Sequence, residues 1–161
     1  MSPSQTRGAV PRVCAAIAIA AATSAAALVA QPTELAALLK ASRIDAPVAA
    51  SCRGEFSEGR GPGYAVAVAL GAKGGRYLVL QQGAEAVELA AFTDGADITC
   101  YSVDEAERMN AAIRESEGIH GQIKPSGGGT VVCGFVDSTT AACWQFDPAT
   151  KRFVRAGGWI T

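Results

Sequence analysis

Through residues 64–70 the chain alternates large with small: Tyr64, Val66, Val68 and Leu70 fall on one face, Ala65, Ala67 and Ala69 on the other. That period of two predicts a strand with one face on a core and the other in solvent or under something thin. Gly71, Gly74 and Gly75 mark a turn. Residues 76–81 alternate again, Leu78 and Leu80 against Tyr77 and Val79, and a second turn over 82–85 leads to a third run at 87–92. Short strands joined by glycine-containing turns predict an antiparallel meander.

After residue 102 the period becomes helical. Ser102 and Glu105 stand in capping-box spacing, while Val103, Ala106, Met109 and Ile113 share one side. Gly118 is expected to end this helix. A shorter helix is expected over 33–41, capped by Thr33, with Leu35, Leu38 and Leu39 on one face. Residues 42–51, with Pro47 and several alanines, read as a linker.

Beyond a Pro/Gly-rich connection at 124–129, two alternating runs flank Asp137, Ser138 and Thr139. If those residues form the loop of a hairpin, Cys133 lies opposite Cys143, at the separation of about 4.5–5.5 Å that a disulfide can bridge. A two-residue turn would break that match. A last strand is expected over 152–160, with Phe153 and Trp159 sharing a face and Arg155 between them. The element order predicts an α+β fold: an antiparallel β-meander and a C-terminal β-hairpin and strand, packed with one main amphipathic helix.

Composition changes the picture at the N-terminus. Arg7 and Arg12 precede an apolar run at 13–30, and no acid occurs before Glu34. A basic head, an apolar middle and small residues at the exit are the layout of a secretory signal peptide. Cleavage is expected after Ala27 or Ala30, by the general secretory route, since no arginine pair is present. The expected plan is therefore a signal peptide over 1–30, a short helix and linker over 31–51, and a single disulfide-braced α+β domain over 52–161. An uncleaved anchor is the alternative, but the run is mostly alanine and at the short end of the roughly 17–25 residues that span a bilayer. The formal net charge is −1. Loss of Arg7 and Arg12 leaves a mildly acidic chain, which argues against a nucleic-acid partner, because that needs a concentrated basic face.

Export also bears on the cysteines. Cys52, Cys100, Cys133 and Cys143 follow the leader, with no C-x-x-C pair to suggest zinc. In an oxidising compartment an even set reads as disulfides. The hairpin register selects Cys133–Cys143, which leaves Cys52–Cys100.

Candidate chemistry is sparse. His120 is the sole histidine, with Glu115 and Glu117 just before it. A small hydrolase would have to use His120 with one of those carboxylates. No G-x-S-x-G elbow, P-loop or dinucleotide fingerprint occurs, so no cofactor and no metal are expected. Trp144 and Trp159 are candidates for a binding face, because such residues are enriched there. Lys151, Arg152 and Arg155 form a basic cluster read as a solvated edge.

Residues 54–66 resemble the calcium loop that opens an FG-GAP or VCBS-type repeat, with Glu55 and Ser57 at ligand positions. Gly59 and Gly63 stand where that pattern carries aspartates. Calcium takes about 6–8 oxygens, so this departure implies a loop without calcium.

The function expected from these features is that of an exported, secreted or periplasmic, small non-enzymatic binding or accessory protein. Its partner would be a protein or a cell-envelope component, with no stable membrane span after processing. The rivals are the hydrolase and an envelope-anchored structural protein that keeps its N-terminal segment.

Overall fold

The computed structural model describes residues 32–161. The expected signal peptide, its cleavage points and the anchor alternative lie outside the described residues.

In chain order the elements are α1 (Thr33–Ala41), β1 (Val48–Gly54), β2 (Gly63–Ala69), β3 (Gly75–Leu80), β4 (Val87–Phe92), β5 (Ile98–Tyr101), α2 (Val103–Glu115), β6 (His120–Ile123), β7 (Val131–Phe135), β8 (Thr140–Asp147) and β9 (Arg152–Ile160). The strands form two antiparallel sheets. The first is a four-stranded meander ordered β1-β2-β3-β4, and the second is five-stranded, ordered β5-β7-β8-β9-β6. The fold is thus disulfide-braced α+β, built on two antiparallel sheets.

Two sheets and two helices stack in four layers, and β2 shows why. Its large face, Tyr64, Val66 and Val68, packs with Leu80 under Leu35 and Leu39 of α1. Fully burying a leucine contributes about 1.5–3 kcal/mol, so these two leucines are the main hold of a short helix. Its N-cap is Pro32, with no side-chain cap, so Thr33 does not play the expected capping role. The small face, Ala65 and Ala67, joins Tyr77 and Phe92 of the same sheet in meeting Val132, Ala142 and Trp144 of the second, and together they form the central core. Alanine on one sheet leaves room for rings from the other, which lets the layers interdigitate. Gly134 has the same use, since a Cβ there would lie 2.8 Å from the Tyr77 ring.

α2 joins β5 to β6, which lie at opposite edges of the second sheet. It covers that sheet's outer face through Ala106 and Ile113, over Ile123, Val131, Cys133, Cys143 and Ala156. The capping box of Ser102 and Glu105 is formed, and the helix stops at Glu115 with Ser116 as its C-cap, ahead of Gly118. Asn110 is buried on the apolar side, where its amide clamps β6: Nδ2 donates to the Ile123 carbonyl and Oδ1 accepts from the Ile123 N–H, each at 2.7 Å.

β7 and β8 pair with Cys133 opposite Cys143 and Phe135 opposite Ala141. Asp137 Oδ1 ties the connecting loop by accepting from the N–H groups of Thr139 and Thr140. Between β8 and β9 the register shifts: Cys143 faces Gly157 but Trp144 faces Arg155, so Ala156 is an extra residue. The bulge reverses the alternation along β9. Phe153 packs toward the other sheet and Trp159 toward α2, so the expectation of a shared face is corrected. Beyond the bulge Gly158 has φ of +151°, and a Cβ there would run into the Ala141 carbonyl. A side chain is excluded at that position.

Candidate functional site

Both cysteine pairs are disulfides. Cys52–Cys100 ties β1 of the first sheet to β5 of the second, with Cα atoms 5.6 Å apart. Cys133–Cys143 crosses the β7–β8 pair at 4.1 Å and lies beneath α2. Neither pair leaves a thiolate for chemistry.

His120 opens β6 and is exposed. With Glu115 and Glu117 it lines a shallow groove of about 400 Å³ at the end of α2. The groove brings the three side chains into one neighbourhood without a hydrogen bond from His120 to either carboxylate among the described residues. A base held by an orienting carboxylate would need such a bond. No group of three potential metal ligands occurs among the described residues.

The segment at 54–66 is organised around packing. Phe56 is buried in the central core, and the Glu55 N–H donates to Thr130 Oγ1 at 2.9 Å. Ser57 Oγ donates to Gln81 Oε1 at 3.0 Å, which spends the hydroxyl on the protein's own amide.

The two tryptophans lie on opposite faces of the second sheet. Trp159 meets Phe135 edge-on at 6.0 Å on the α2 side. Trp144 faces the first sheet, 6 % exposed, with the Arg155 guanidinium 5.7 Å from its ring centroid. It forms part of the floor of the feature that best qualifies as a site.

That feature is a cleft of about 890 Å³ lined by residues of both sheets. One lip comes from the first sheet: the loop carrying Ser57, Glu58 and Arg60, the β3–β4 turn with Glu85, and the start of β4 through Leu89. The other lip is the β8–β9 turn with Pro148, Lys151 and Arg152. Val79, Trp144, Phe146 and Phe153 supply the apolar lining. A few hundred to about 1,000 Å³ is the ordinary size of a small-molecule site, and here the apolar lining is ringed by six charged side chains, Glu58, Arg60, Glu85, Glu88, Lys151 and Arg152. The Arg60 loop and the 82–86 turn separate this cleft from a second one, of about 1040 Å³, between the same loops and α1.

Gln81 stands where the two clefts meet and lines both. It continues the face of Tyr77 and Val79 one step beyond β3, which is why its side chain is 8 % exposed. Its oxygen is satisfied by Ser57, but Nε2 is shut off from solvent with no acceptor among the described residues. An orphaned buried donor costs about 1–3 kcal/mol. By contrast Gln145, fully buried on β8, spends both ends: Oε1 accepts from the Ser126 N–H at 2.8 Å and Nε2 donates to the Gly127 carbonyl at 3.1 Å. The protein can satisfy a buried glutamine, and at Gln81 it does not.

The charges around the cleft are segregated, with Glu58, Glu85 and Glu88 on the first-sheet lip and Lys151 and Arg152 across from them. Glu88 is answered by Arg76. Lys151, Arg152 and Arg155 make no salt bridge among the described residues. Sequence reasoning found Trp144 and the basic cluster but gave them separate roles, and it passed over Gln81. The available signal was its position: Gln81 extends an alternation whose previous members, Tyr77 and Val79, are core. No protein-family model, curated protein or solved structure matches the chain.

Proposed function

We propose that this chain is an exported, non-enzymatic binding protein, matured in the periplasm or outside the cell, that takes its ligand in the cleft between the two sheets. The observation that carries the reading is the cleft itself, with Trp144 at its floor and an unsatisfied Gln81 amide where a tightly packed core would have none. Export is supported by the N-terminal pattern and is compatible with two disulfides, which persist in oxidising compartments. No described helix is long and apolar enough to cross a membrane.

The rigidity that disulfides provide suits binding. Cys52–Cys100 ties one sheet to the other, and such preorganisation lowers the cost of association. The partner is a small molecule of the cell envelope or its surroundings.

Amide-resolved NMR of the oxidised domain against a library of small soluble fragments tests the reading. Shifts clustered on residues 57–60, 81–89 and 144–153 support it. Shifts confined to the groove around His120, or activity on ester or amide substrates that disappears in His120→Ala at unchanged melting temperature, would favour the hydrolase.

A further inference from the structure

We infer that the ligand of the cleft is a small amphipathic carboxylic acid, its apolar body on Trp144 and Phe153 and its carboxylate toward Lys151 and Arg152. This rests on the reading of the cleft as the binding site and names the class of molecule it takes.

The argument is a matching of unsatisfied groups. The polar groups here that lack a protein partner are distributed by sign. On the β8–β9 lip they are all donors: the Lys151 ammonium and the Arg152 guanidinium, neither in a salt bridge among the described residues. The carboxylates lie on the opposite lip: Glu88 is held by Arg76, while Glu58 and Glu85 make no salt bridge among the described residues and Arg60 beside them donates to the Gly83 carbonyl. A ligand is therefore polarised on entry, with an acceptor favoured on the β9 side.

Geometry points the same way. The turn holding Lys151 and Arg152 leads straight into Phe153, whose ring packs 5.6 Å from Phe146 and 6.3 Å from Phe56. A molecule lying along these rings reaches the cations with one end. A guanidinium meets a carboxylate through two parallel hydrogen bonds, which a neutral hydroxyl cannot return. The apolar surface beneath is too limited for a lipid bilayer and suits an acyl or aryl body of modest length.

The test compares decanoate with decan-1-ol, which share an apolar body and differ in the head. Binding is read from Trp144 emission in a Trp159→Phe background and, in the unaltered chain, from amide shifts of cleft residues. Decanoate is expected to bind at least about tenfold more tightly than decanol, the worth of one charge-assisted contact. In the double variant Lys151→Gln/Arg152→Gln, both exposed positions, that gap is expected to close while decanol binding stays level. Equal affinities in the unaltered protein, or a gap that survives the double substitution, overturn the carboxylate assignment while the cleft remains a site. If neither molecule shifts a cleft amide, the assignment also falls, and the fragment mapping decides separately whether the cleft binds anything.

Discussion

The Tyr77 hydroxyl lies 2.6 Å from the Phe135 carbonyl oxygen and donates to it across the interface between the two sheets. The Asp97 carbonyl stands 3.1 Å away on the same hydroxyl. One phenol thus pins β3 of the first sheet to β7 of the second, with its ring on Gly134 and against Phe92.

Tyr77→Phe keeps the ring and removes the bond, leaving two inward-facing carbonyls without this partner. A loss of about 1–2 kcal/mol is expected in denaturant unfolding. Burial pushes the Tyr77 hydroxyl up from 10.0 to about 12. The unfolded chain therefore releases this proton before the folded one does. Its contribution to stability is complete below pH 10 and lost as pH rises from 10 to about 12. Denaturation at stepped alkaline pH checks this: the fall across that window is steeper in the unaltered protein than in Tyr77→Phe.

The two disulfides are expected to differ in both energy and access. Cys52 and Cys100 are 48 residues apart and Cys133 and Cys143 only 10. Chain entropy assigns about 4 kcal/mol to the first and about 3 kcal/mol to the second. Cys133 and Cys143 are buried beneath α2, whereas Cys52 and Cys100 are half-buried. Under mild reductant, alkylation followed by peptide mapping should label Cys52 and Cys100 first. Labelling at Cys133 and Cys143 ahead of them would contradict the described burial.

Asn110→Ala removes both bonds to Ile123 from a buried site. The β6 backbone then keeps an unsatisfied donor and acceptor, at an expected cost of about 2–4 kcal/mol. Hydrogen exchange should show the Ile123 amide losing protection before those of β7 and β8, which have their own ladder.

Gln81→Met is expected to change stability by less than about 1 kcal/mol in either direction, because relief of the orphaned Nε2 is offset by loss of the bond from Ser57 Oγ to Oε1. A stability loss beyond that range would mean that the amide is satisfied in solution.

The parts of this fold legible in the sequence are those fixed by neighbours along the chain. Ser102 and Glu105 mark the start of α2 by themselves, and alternation sorts the residues of β2 and β3 onto their two faces. Register at β7–β8 follows from a short loop that Asp137 closes. What stayed hidden depends on distant partners. The alanine face of β2 gives no sign that a second sheet, rather than solvent, covers it. β6 is too short, and too rich in exposed residues, to show a period, and so His120 reads as loop. The bulge at Ala156, which sends Phe153 and Trp159 to opposite faces, exists only in the pairing of β9 with β8. Asn110 and Gln81 look like ordinary surface polar residues until the elements above them are in place. The cleft was half visible: Trp144, Lys151 and Arg152 were singled out, but only the meeting of two sheets puts them at one mouth.

Mass spectrometry of the intact protein recovered from its native cells, with and without reduction, tests the central claim most directly. The account predicts a mature chain starting at Leu28 or Gln31, heavier after reduction by the hydrogens of two disulfides and blocked to alkylation before it. A chain that retains Met1, and with it Cys14, and carries five alkylatable thiols without reduction would contradict it.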